Sequence, residues 1–141
     1  MSDNITVELK NNISETERLS QIVSDFSEAN GLSIGDSYAL NLSLEEILAN
    51  VISYGYEDNS EHTITIRISL KDKQLIAEVE DDGKPFNPLE APEPDIEIPL
   101  EDRPVGGLGI YLVRNLMDGL EYKRELGKNI LIMMRNTGKE I

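Results

Sequence analysis

Hydrophobic residues along this chain follow two spacings, and each spacing predicts one kind of secondary structure. In five segments the apolar residues alternate with polar ones or form a short run, which is typical of β-strands with a buried face. These predicted strands cover 5–10, 63–70, 74–81, 120–126 and 129–135. A short turn at 71–73 joins the second strand to the third, and Gly127 lies between the last two, so each pair is expected to form a hairpin.

Three other segments have apolar residues at spacings of three and four, which predicts amphipathic helices. The first is predicted to start at a capping box of Ser14 and Glu17 and to end near Gly31. The second is predicted over 36–54, with Asp36 as its N-cap and Gly55 near its C-cap. The third follows a glycine-rich turn, and its apolar residues are Leu108, Leu112, Val113, Leu116 and Met117.

The order of these elements predicts the fold class. One strand is followed by two helices, a hairpin, a long loop, the third helix and a second hairpin. This order favours an α+β fold, a two-layer α/β sandwich with helices on one face of a mixed, mostly antiparallel sheet. The length of 141 residues fits a single domain over 1–141 with one core.

The long loop before the third helix is rich in proline and acidic residues. All six prolines of the chain lie between Pro85 and Pro104. Loops of this length without periodicity are uncommon in compact domains, and many of them are lids or binding loops. Because it directly precedes the glycine-rich turn, we interpret 84–106 as a flexible lid. The alternative is a solvated acidic connector.

The charge of the chain limits its partners. A net charge of −14 argues against nucleic-acid binding, which depends on neutralising phosphates with Lys and Arg. A basic protein partner is more natural, and a nucleotide site would have to use backbone N–H groups, a divalent cation and a few placed cations. The chain has no apolar run long enough for a membrane span, no signal-peptide pattern and no cysteine, so we expect a cytoplasmic protein.

The glycine-rich turn is a candidate phosphate site. Gly106, Gly107 and Gly109 lead directly into the third helix. The first N–H groups of a helix lack intrahelical partners and the helix dipole favours negative charge there, so a phosphate can bind without basic side chains. The alternative is a tight loop that needs glycine only for positive φ.

Two pairs of polar residues could complete such a site. Glu46 and Asn50 lie one helical turn apart at the margin of the apolar stripe, whereas Glu45 is expected on the solvated side. A carboxylate and an amide at this spacing can hold hydrated Mg²⁺ or orient a hydroxyl, although they are also compatible with an ordinary helix surface. Asp81 and Gly83 end a strand, where a carboxylate could accept a hydrogen bond from an amine such as that of adenine. Alone, this pattern usually marks a turn.

Together, three motifs resemble the asparagine box and the two glycine boxes of the GHKL, or HATPase-type, ATP-binding fold. They are Glu46-x-x-x-Asn50, Asp81-x-Gly83 with Pro85 and Phe86, and Gly107-Leu108-Gly109 after a variable lid. Their surroundings (NVISYGYE, DDGKPFNP and GGLGIYLVRNLMD) are similar to those of bacterial anti-sigma-factor serine kinases. The resemblance extends from about Ile5 to Arg135 and implies a Bergerat-type sandwich that binds Mg-ATP between helices and lid.

The resemblance also implies a role for each motif residue. Glu46 would be the general base that orients the attacking hydroxyl, and Asn50 the Mg²⁺ ligand. Asp81 would bind the adenine amino group, with Gly83 giving room for the base. The phosphates would be met by the lid residue Arg103 and by backbone N–H groups of Gly107, Leu108 and Gly109.

Some positions depart from the family pattern. Tyr54 stands where these kinases commonly have a histidine before Gly-Tyr, so a role for that histidine is not expected here. Val105 and Pro85 replace glycines of the two glycine boxes, and both replacements also occur within the anti-sigma branch. The only histidine, His62, lies in a polar turn and is expected at the surface, which gives no support to a phospho-accepting histidine.

The function implied by the resemblance is that of a protein serine/threonine kinase acting as an anti-sigma factor. It would phosphorylate a Ser of a small STAS-type antagonist, bind a sigma factor when free of that antagonist, and form a homodimer. The alternative is an ATP-binding regulatory module that performs no transfer and switches partner binding through its nucleotide state. Glu46 favours the kinase. A lone two-component histidine kinase domain is disfavoured because the sequence has no phospho-acceptor helix.

Overall fold

A computed structural model describes residues 3–58, 60–90 and 107–137 of the chain. Its elements are β1 (Asn4–Lys10), α1 (Glu15–Ala29), α2 (Ile34–Tyr54), β2 (Thr63–Lys71), β3 (Gln74–Asp81), a 3₁₀ turn (Pro88–Glu90), α3 (Gly107–Leu116), β4 (Gly119–Glu125) and β5 (Lys128–Asn136). None of the helices in these ranges is long and apolar enough to cross a bilayer. Most of the predicted lid, 91–106, lies outside the described residues, so the lid stays a prediction.

The five strands form one sheet in the order β1-β2-β3-β5-β4. Every pair of neighbours is antiparallel, so the described sheet is antiparallel throughout and contains no mixed part. Both predicted hairpins are confirmed. Asp72 and Lys73 turn the first with φ of 51° and 66°, and Leu126 and Gly127 turn the second with φ of 51° and 76°. Two successive positive φ values are the mark of the type I′ turn, whose twist matches the strands.

The helices cover one face of this sheet, which confirms the two-layer sandwich. Side chains alternate between the faces of a strand, so every second residue points to the helices. The buried strand residues include Leu9, Ile64, Ile66, Ile68, Leu75, Val79, Leu131 and Met133. The central helix is α2, which packs on α1, α3 and β3. Its predicted stripe is buried as expected and consists of Leu40, Leu44, Ile47, Leu48 and Val51.

The starts of two helices differ from the prediction. Ser14 is the N-cap of α1, but its hydroxyl makes no capping hydrogen bond; instead the Ser14 hydroxyl and the Ser14 N–H both donate to Asn12 Oδ1 at 3.0 Å, so the predicted capping box is not formed. The N-cap of α2 is Ser33 rather than Asp36, and its hydroxyl accepts from the Asp36 N–H at 3.1 Å. At the other end, the predicted stop of α2 at Tyr54 is confirmed.

The buried side chains in and directly after α3 agree with the prediction only in part. Ile110, Val113 and Met117 are buried, whereas Leu112 is 37% exposed. Val113 and Met117 were predicted to be buried, but among the four consecutive apolar residues 110–113 the structure buries Ile110 in place of the predicted Leu112.

Arg135, near the end of β5, joins three elements. Its Nε donates to Asp36 Oδ1 at 2.8 Å, and its Nη1 donates to the Leu116 carbonyl oxygen at 2.6 Å. Both side chains of the ion pair are largely buried, so the pair fixes the first turn of α2 and the end of α3 to the sheet.

Candidate functional site

A cavity opens between α2 and the adjoining ends of β3 and β5, on the helix-covered side of the sheet. It contains about 410 Å³ of atom-free space, part of which is open to solvent. Its apolar wall includes Ile47, Val51, Val79 and Leu131, and its polar residues include Asn50, Asp81, Lys84 and Asn129. A mostly apolar cavity with a few fixed polar groups suits a flat aromatic ligand such as a purine base.

Asp81, the last residue of β3, lines this cavity and is only 6% exposed. Its Oδ1 accepts hydrogen bonds from the Gly83 N–H at 2.8 Å and from Asn129 Nδ2 at 3.0 Å. Burial raises the pKa of the Asp81 carboxyl, and these two hydrogen bonds oppose that shift. No described residue donates a hydrogen bond to Oδ2. One oxygen is therefore held by the protein, and the other is left for a ligand.

Asn50 lies on the same wall, one turn before the end of α2. Its Nδ2 is buried and has no hydrogen-bond partner among the described residues. Leaving such a group unsatisfied costs about 1–3 kcal/mol, which is why it is rare in folded proteins. A half-turn of the amide would offer its oxygen at the same position, and amide oxygens are common donors to Mg²⁺. Asn50 is thus a group that a ligand or a hydrated cation would satisfy.

Glu46 lies one turn before Asn50 and faces the start of α3. A Cβ on Gly109 would come within 2.4 Å of Glu46 Oε2, so a glycine permits this close approach. Because Gly109 is the third residue of α3, the carboxylate lies beside N–H groups that have no intrahelical partner. The structure brings Glu46 and Gly109 together at the flank of the cavity; neither is among the residues found to line it.

Glu45 does not point to solvent as expected. Its Oε1 accepts hydrogen bonds from Ser20 Oγ at 2.8 Å and from Asn41 Nδ2 at 3.3 Å. The two adjacent glutamates therefore differ in position, because Glu45 joins α2 to α1 while Glu46 faces α3.

Gly83 lies two residues after Asp81, and the packing of the protein itself requires a glycine there. A Cβ at this position would lie 2.5 Å from the Gly55 carbonyl oxygen and 2.9 Å from Asp81 Oδ1. The same Gly55 oxygen accepts a hydrogen bond from the Lys84 N–H at 2.8 Å. The end of α2 is thus locked to the end of β3. The predicted role of Gly83, room for an adenine base, stays a prediction.

The other predicted phosphate contacts are only partly described. Gly107 and Leu108 begin α3, which agrees with a glycine turn that leads into a helix. Arg103 lies outside the described residues. The roles assigned to all eight motif residues remain predictions.

The sequence did not lead us to predict the role of Asn129, whose side chain makes hydrogen bonds to several elements around the cavity. Its Nδ2 donates to Asp81 Oδ1 at 3.0 Å and to the Lys84 carbonyl at 2.8 Å. Its Oδ1 accepts from the Tyr122 hydroxyl at 2.5 Å and from Arg124 Nη1 at 3.0 Å. This side chain links β3, β4, β5 and the loop after Asp81.

The sequence contained a sign of this residue. Asn129 occupies the same face of β5 as the buried Leu131 and Met133. An amide at an inward position of a strand needs hydrogen-bond partners, so it is a candidate for a polar network. Arg124 had no comparable sign in the sequence, because exposed and partly buried residues do not alternate regularly along β4.

His62 is more enclosed than predicted, with 18% of its side chain exposed. Its ring stacks on Tyr56 with centroids 4.1 Å apart. Nε2 lies 2.8 Å from Asp58 Oδ1, and Nδ1 lies 3.2 Å from Asp82 Oδ1. The hydrogen bond to Asp58, followed by the one to Asp82, raises the pKa of His62. His62 therefore connects the segment after α2 to the residue that follows Asp81.

Residues 9–135 match the family model of the histidine kinase-like ATPase domain, and the match includes every element of the cavity. The chain belongs to this family. An ATPase domain implies ATP binding, so the family agrees with a cavity suited to a purine.

Several proteins are similar in sequence to this histidine kinase-like ATPase domain. The serine/threonine-protein kinase BtrW of Bordetella bronchiseptica is 26% identical over 103 residues, which are 73% of this chain and 72% of BtrW. The serine-protein kinase RsbW of Bacillus mycoides is 28% identical, over 72% of this chain and 66% of RsbW. The anti-sigma F factor of Clostridium acetobutylicum is 27% identical, over 86% of this chain and 85% of that protein.

Solved structures share the fold. A crystal structure of the RsbU and RsbW domains of a Mycobacterium tuberculosis protein superposes with a TM-score of 0.72 at 14% identity, over 99% of this chain and 34% of that one. The histidine kinase domain of a blue-light-activated kinase from Erythrobacter litoralis gives a TM-score of 0.57 at 17% identity, over 89% of this chain and 60% of that one. These similarities confirm the predicted α+β fold.

Proposed function

We propose that this histidine kinase-like ATPase domain is a protein serine/threonine kinase of the anti-sigma type, which uses Mg-ATP to phosphorylate a Ser of a small antagonist protein. The nucleotide-binding part of this proposal rests on one observation. Asp81 Oδ2 and the Asn50 amide, both without a protein partner among the described residues, meet in one cavity whose walls are otherwise mostly apolar. The names of the similar proteins, serine-protein kinase and anti-sigma F factor, support the transfer activity.

In this proposal each part of ATP meets a different part of the chain. The base lies between the apolar residues of α2 and the sheet, and Asp81 accepts a hydrogen bond from its exocyclic amine. The phosphates are bound by the first N–H groups of α3, from Gly107 to Gly109, with Arg103 near the terminal phosphate.

Glu46 would orient the serine hydroxyl of the partner and accept its proton on a carboxylate oxygen. Asn50 would hold Mg²⁺, which neutralises charge on the transferred phosphate when bound. The position of Glu46 beside Gly109 supports this division of roles, because it places a proton acceptor near the expected phosphates.

The proposal includes the partners and the setting of the reaction. The antagonist would be a STAS-type protein, and a sigma factor would bind when the antagonist is absent. A homodimer is supported by the open face of the sheet, where Ile76, Ile130, Ile132 and Met134 lie on neighbouring strands and are only partly buried. We place this single domain, with its lid at 84–106, in the cytoplasm, where ATP and sigma factors occur.

Adjacent glutamates provide a matched test of the kinase. Purified wild type, Glu46→Gln and Glu45→Gln would be incubated with labelled ATP and STAS-type proteins of the source cell, followed by phosphosite mapping. Glu46→Gln should bind ATP normally yet transfer phosphate about 10²–10⁴-fold more slowly, as expected for loss of a general base. Glu45→Gln should transfer normally, since its hydrogen bonds are directed to α1.

The outcomes separate the two candidate functions. Transfer at the wild-type rate by Glu46→Gln would remove Glu46 as the base. If the wild type binds ATP but labels no Ser or Thr in any partner, the kinase proposal fails and the non-catalytic regulatory module replaces it. Absence of ATP binding by calorimetry in millimolar magnesium would reject both.

A further inference from the structure

The side-chain amide of Asn129 can be oriented in only one way. The Lys84 carbonyl can only accept a hydrogen bond, and it lies 2.8 Å from Nδ2. Arg124 can only donate, and it lies 3.0 Å from Oδ1. The nitrogen of Asn129 is therefore the end that faces Asp81, and both of its protons are used by Asp81 and Lys84.

This fixed donor determines how Asp81 faces the cavity. The donors to Asp81 Oδ1, Asn129 Nδ2 at 3.0 Å and the Gly83 N–H at 2.8 Å, both stabilise the negative charge of the carboxylate and so favour its ionised form. The same two bonds prevent rotation of the carboxylate. Oδ2 is thus presented to a ligand in one orientation.

We propose that Asn129 is a positioning residue that sets the purine selectivity of the site, by holding Asp81 so that Oδ2 meets the ligand only as an acceptor. The inference rests on the proposed nucleotide function and extends it to a residue outside the motifs. An acceptor at Oδ2 pairs with the 6-amino group of adenine. It repels the 6-oxo group of hypoxanthine or guanine, which is itself an acceptor.

Loss of the Asn129 donor should weaken the preference of the site for adenine over 6-oxo purines. Burial already raises the pKa of Asp81, and the hydrogen bond from Asn129 is the strongest of the interactions that oppose this rise. The charged and titratable groups that face Asp81 are Asp82 directly after β3, Arg124 on β4 and Tyr56 after α2, with Lys84 on the cavity wall. Without Asn129 the carboxyl would take up a proton at higher pH, and a protonated Oδ2 can donate to a 6-oxo group.

The test compares two nucleotides that differ at this position. Dissociation constants of ATP and inosine triphosphate would be measured by calorimetry for the full chain at about pH 8 and about pH 6. The variants are Asn129→Ala, which removes the amide donor, and Asn129→Asp, which keeps the size but forces two carboxyls to share a proton. Asn136→Ala, at the exposed end of the same strand, is the matched control. Thermal unfolding of each variant shows whether it is folded.

The wild type should prefer ATP to inosine triphosphate by roughly 100-fold or more at both pH values. In the Asn129 variants this ratio should narrow by about tenfold or more, and inosine triphosphate should bind more tightly as the pH falls. Asn136→Ala should behave as the wild type. If folded Asn129 variants keep the wild-type ratio and lose affinity for both nucleotides equally, Asn129 is only structural and the inference is wrong, while the proposed function stands. If the wild type binds neither nucleotide, the proposed function itself fails, and the inference fails with it.

Discussion

Replacing Gly83 with alanine should destabilise the protein and weaken nucleotide binding together. The added Cβ would lie 2.5 Å from the Gly55 carbonyl oxygen, which is backbone and cannot rotate away. To reach ordinary contact, this distance has to grow to about 3.4 Å. The movement would separate the end of α2 from the end of β3 and lengthen the 2.8 Å hydrogen bond from the Lys84 N–H to Gly55.

The magnitude follows from these contacts. Forcing a methyl group into a packed site costs about 1–3 kcal/mol, and a lost backbone hydrogen bond costs about 0.5–1.5 kcal/mol. Alanine also reduces the entropy of the unfolded chain, which offsets about 0.4–1 kcal/mol. The net loss should be about 0.5–4 kcal/mol, or a fall in Tm of roughly 2–16 °C for a domain of this size. The same Cβ lies 2.9 Å from Asp81 Oδ1, so we expect affinity for ATP to fall about tenfold or more.

Differential scanning calorimetry and ATP titration would measure both effects. Gly35→Ala is the matched control, because Gly35 lies in the first turn of α2 and a Cβ there meets only Ser33 Oγ at 4.0 Å. This control should be as stable as the wild type or more stable by up to about 1 kcal/mol. A Gly83→Ala protein with unchanged Tm and ATP affinity would refute the packing argument.

Two further predictions test other contacts of the fold. Arg135→Met should lower the free energy of unfolding in urea by about 3 kcal/mol, since it leaves the Asp36 carboxylate largely buried without its partner. The double variant with Asp36→Asn should lose less stability than the sum of the losses of the two single variants. Additive losses would contradict the ion-pair reasoning. The folded-state pKa of His62 is raised above its ordinary value of 6.5 by Asp58 and Asp82. Its stabilisation should therefore be complete below pH 6.5 and be lost as the pH rises through the raised folded pKa, so Tm of the wild type relative to His62→Gln should decline over that range, and parallel Tm profiles would exclude the effect.

The elements of this fold were predictable because their hydrophobic periods are regular. The alternation in β2 and β3 and the stripe of α2 each allow one buried face, and Gly55 marks a helix end that the structure confirms. The sequence was ambiguous where several neighbouring residues could equally well cap a helix or form its buried face. Ser33 and Asp36 can both cap a helix, and the apolar residues at 110–113 can bury either of two faces of α3.

The candidate site was only partly predictable for a different reason. Glu46, Asn50 and Asp81 belong to short motifs with recognisable spacing. Asn129 contacts Asp81 only through the pairing of β3 with β5, and 48 residues separate the two along the chain. Hairpin patterns show which strands are adjacent within each hairpin, but they do not show which strand of the second hairpin lies beside the first.

The place of β5 in the middle of the sheet affects how the chain can fold during synthesis on the ribosome. β3 borders β2 on one side and β5 on the other, so a nascent chain that ends before Lys128 leaves β3 as an open edge. Open edges readily pair with other chains. The cavity wall supplied by Asn129 and Leu131 is missing at that stage as well. A product released early would therefore be prone to aggregate and unable to complete the cavity.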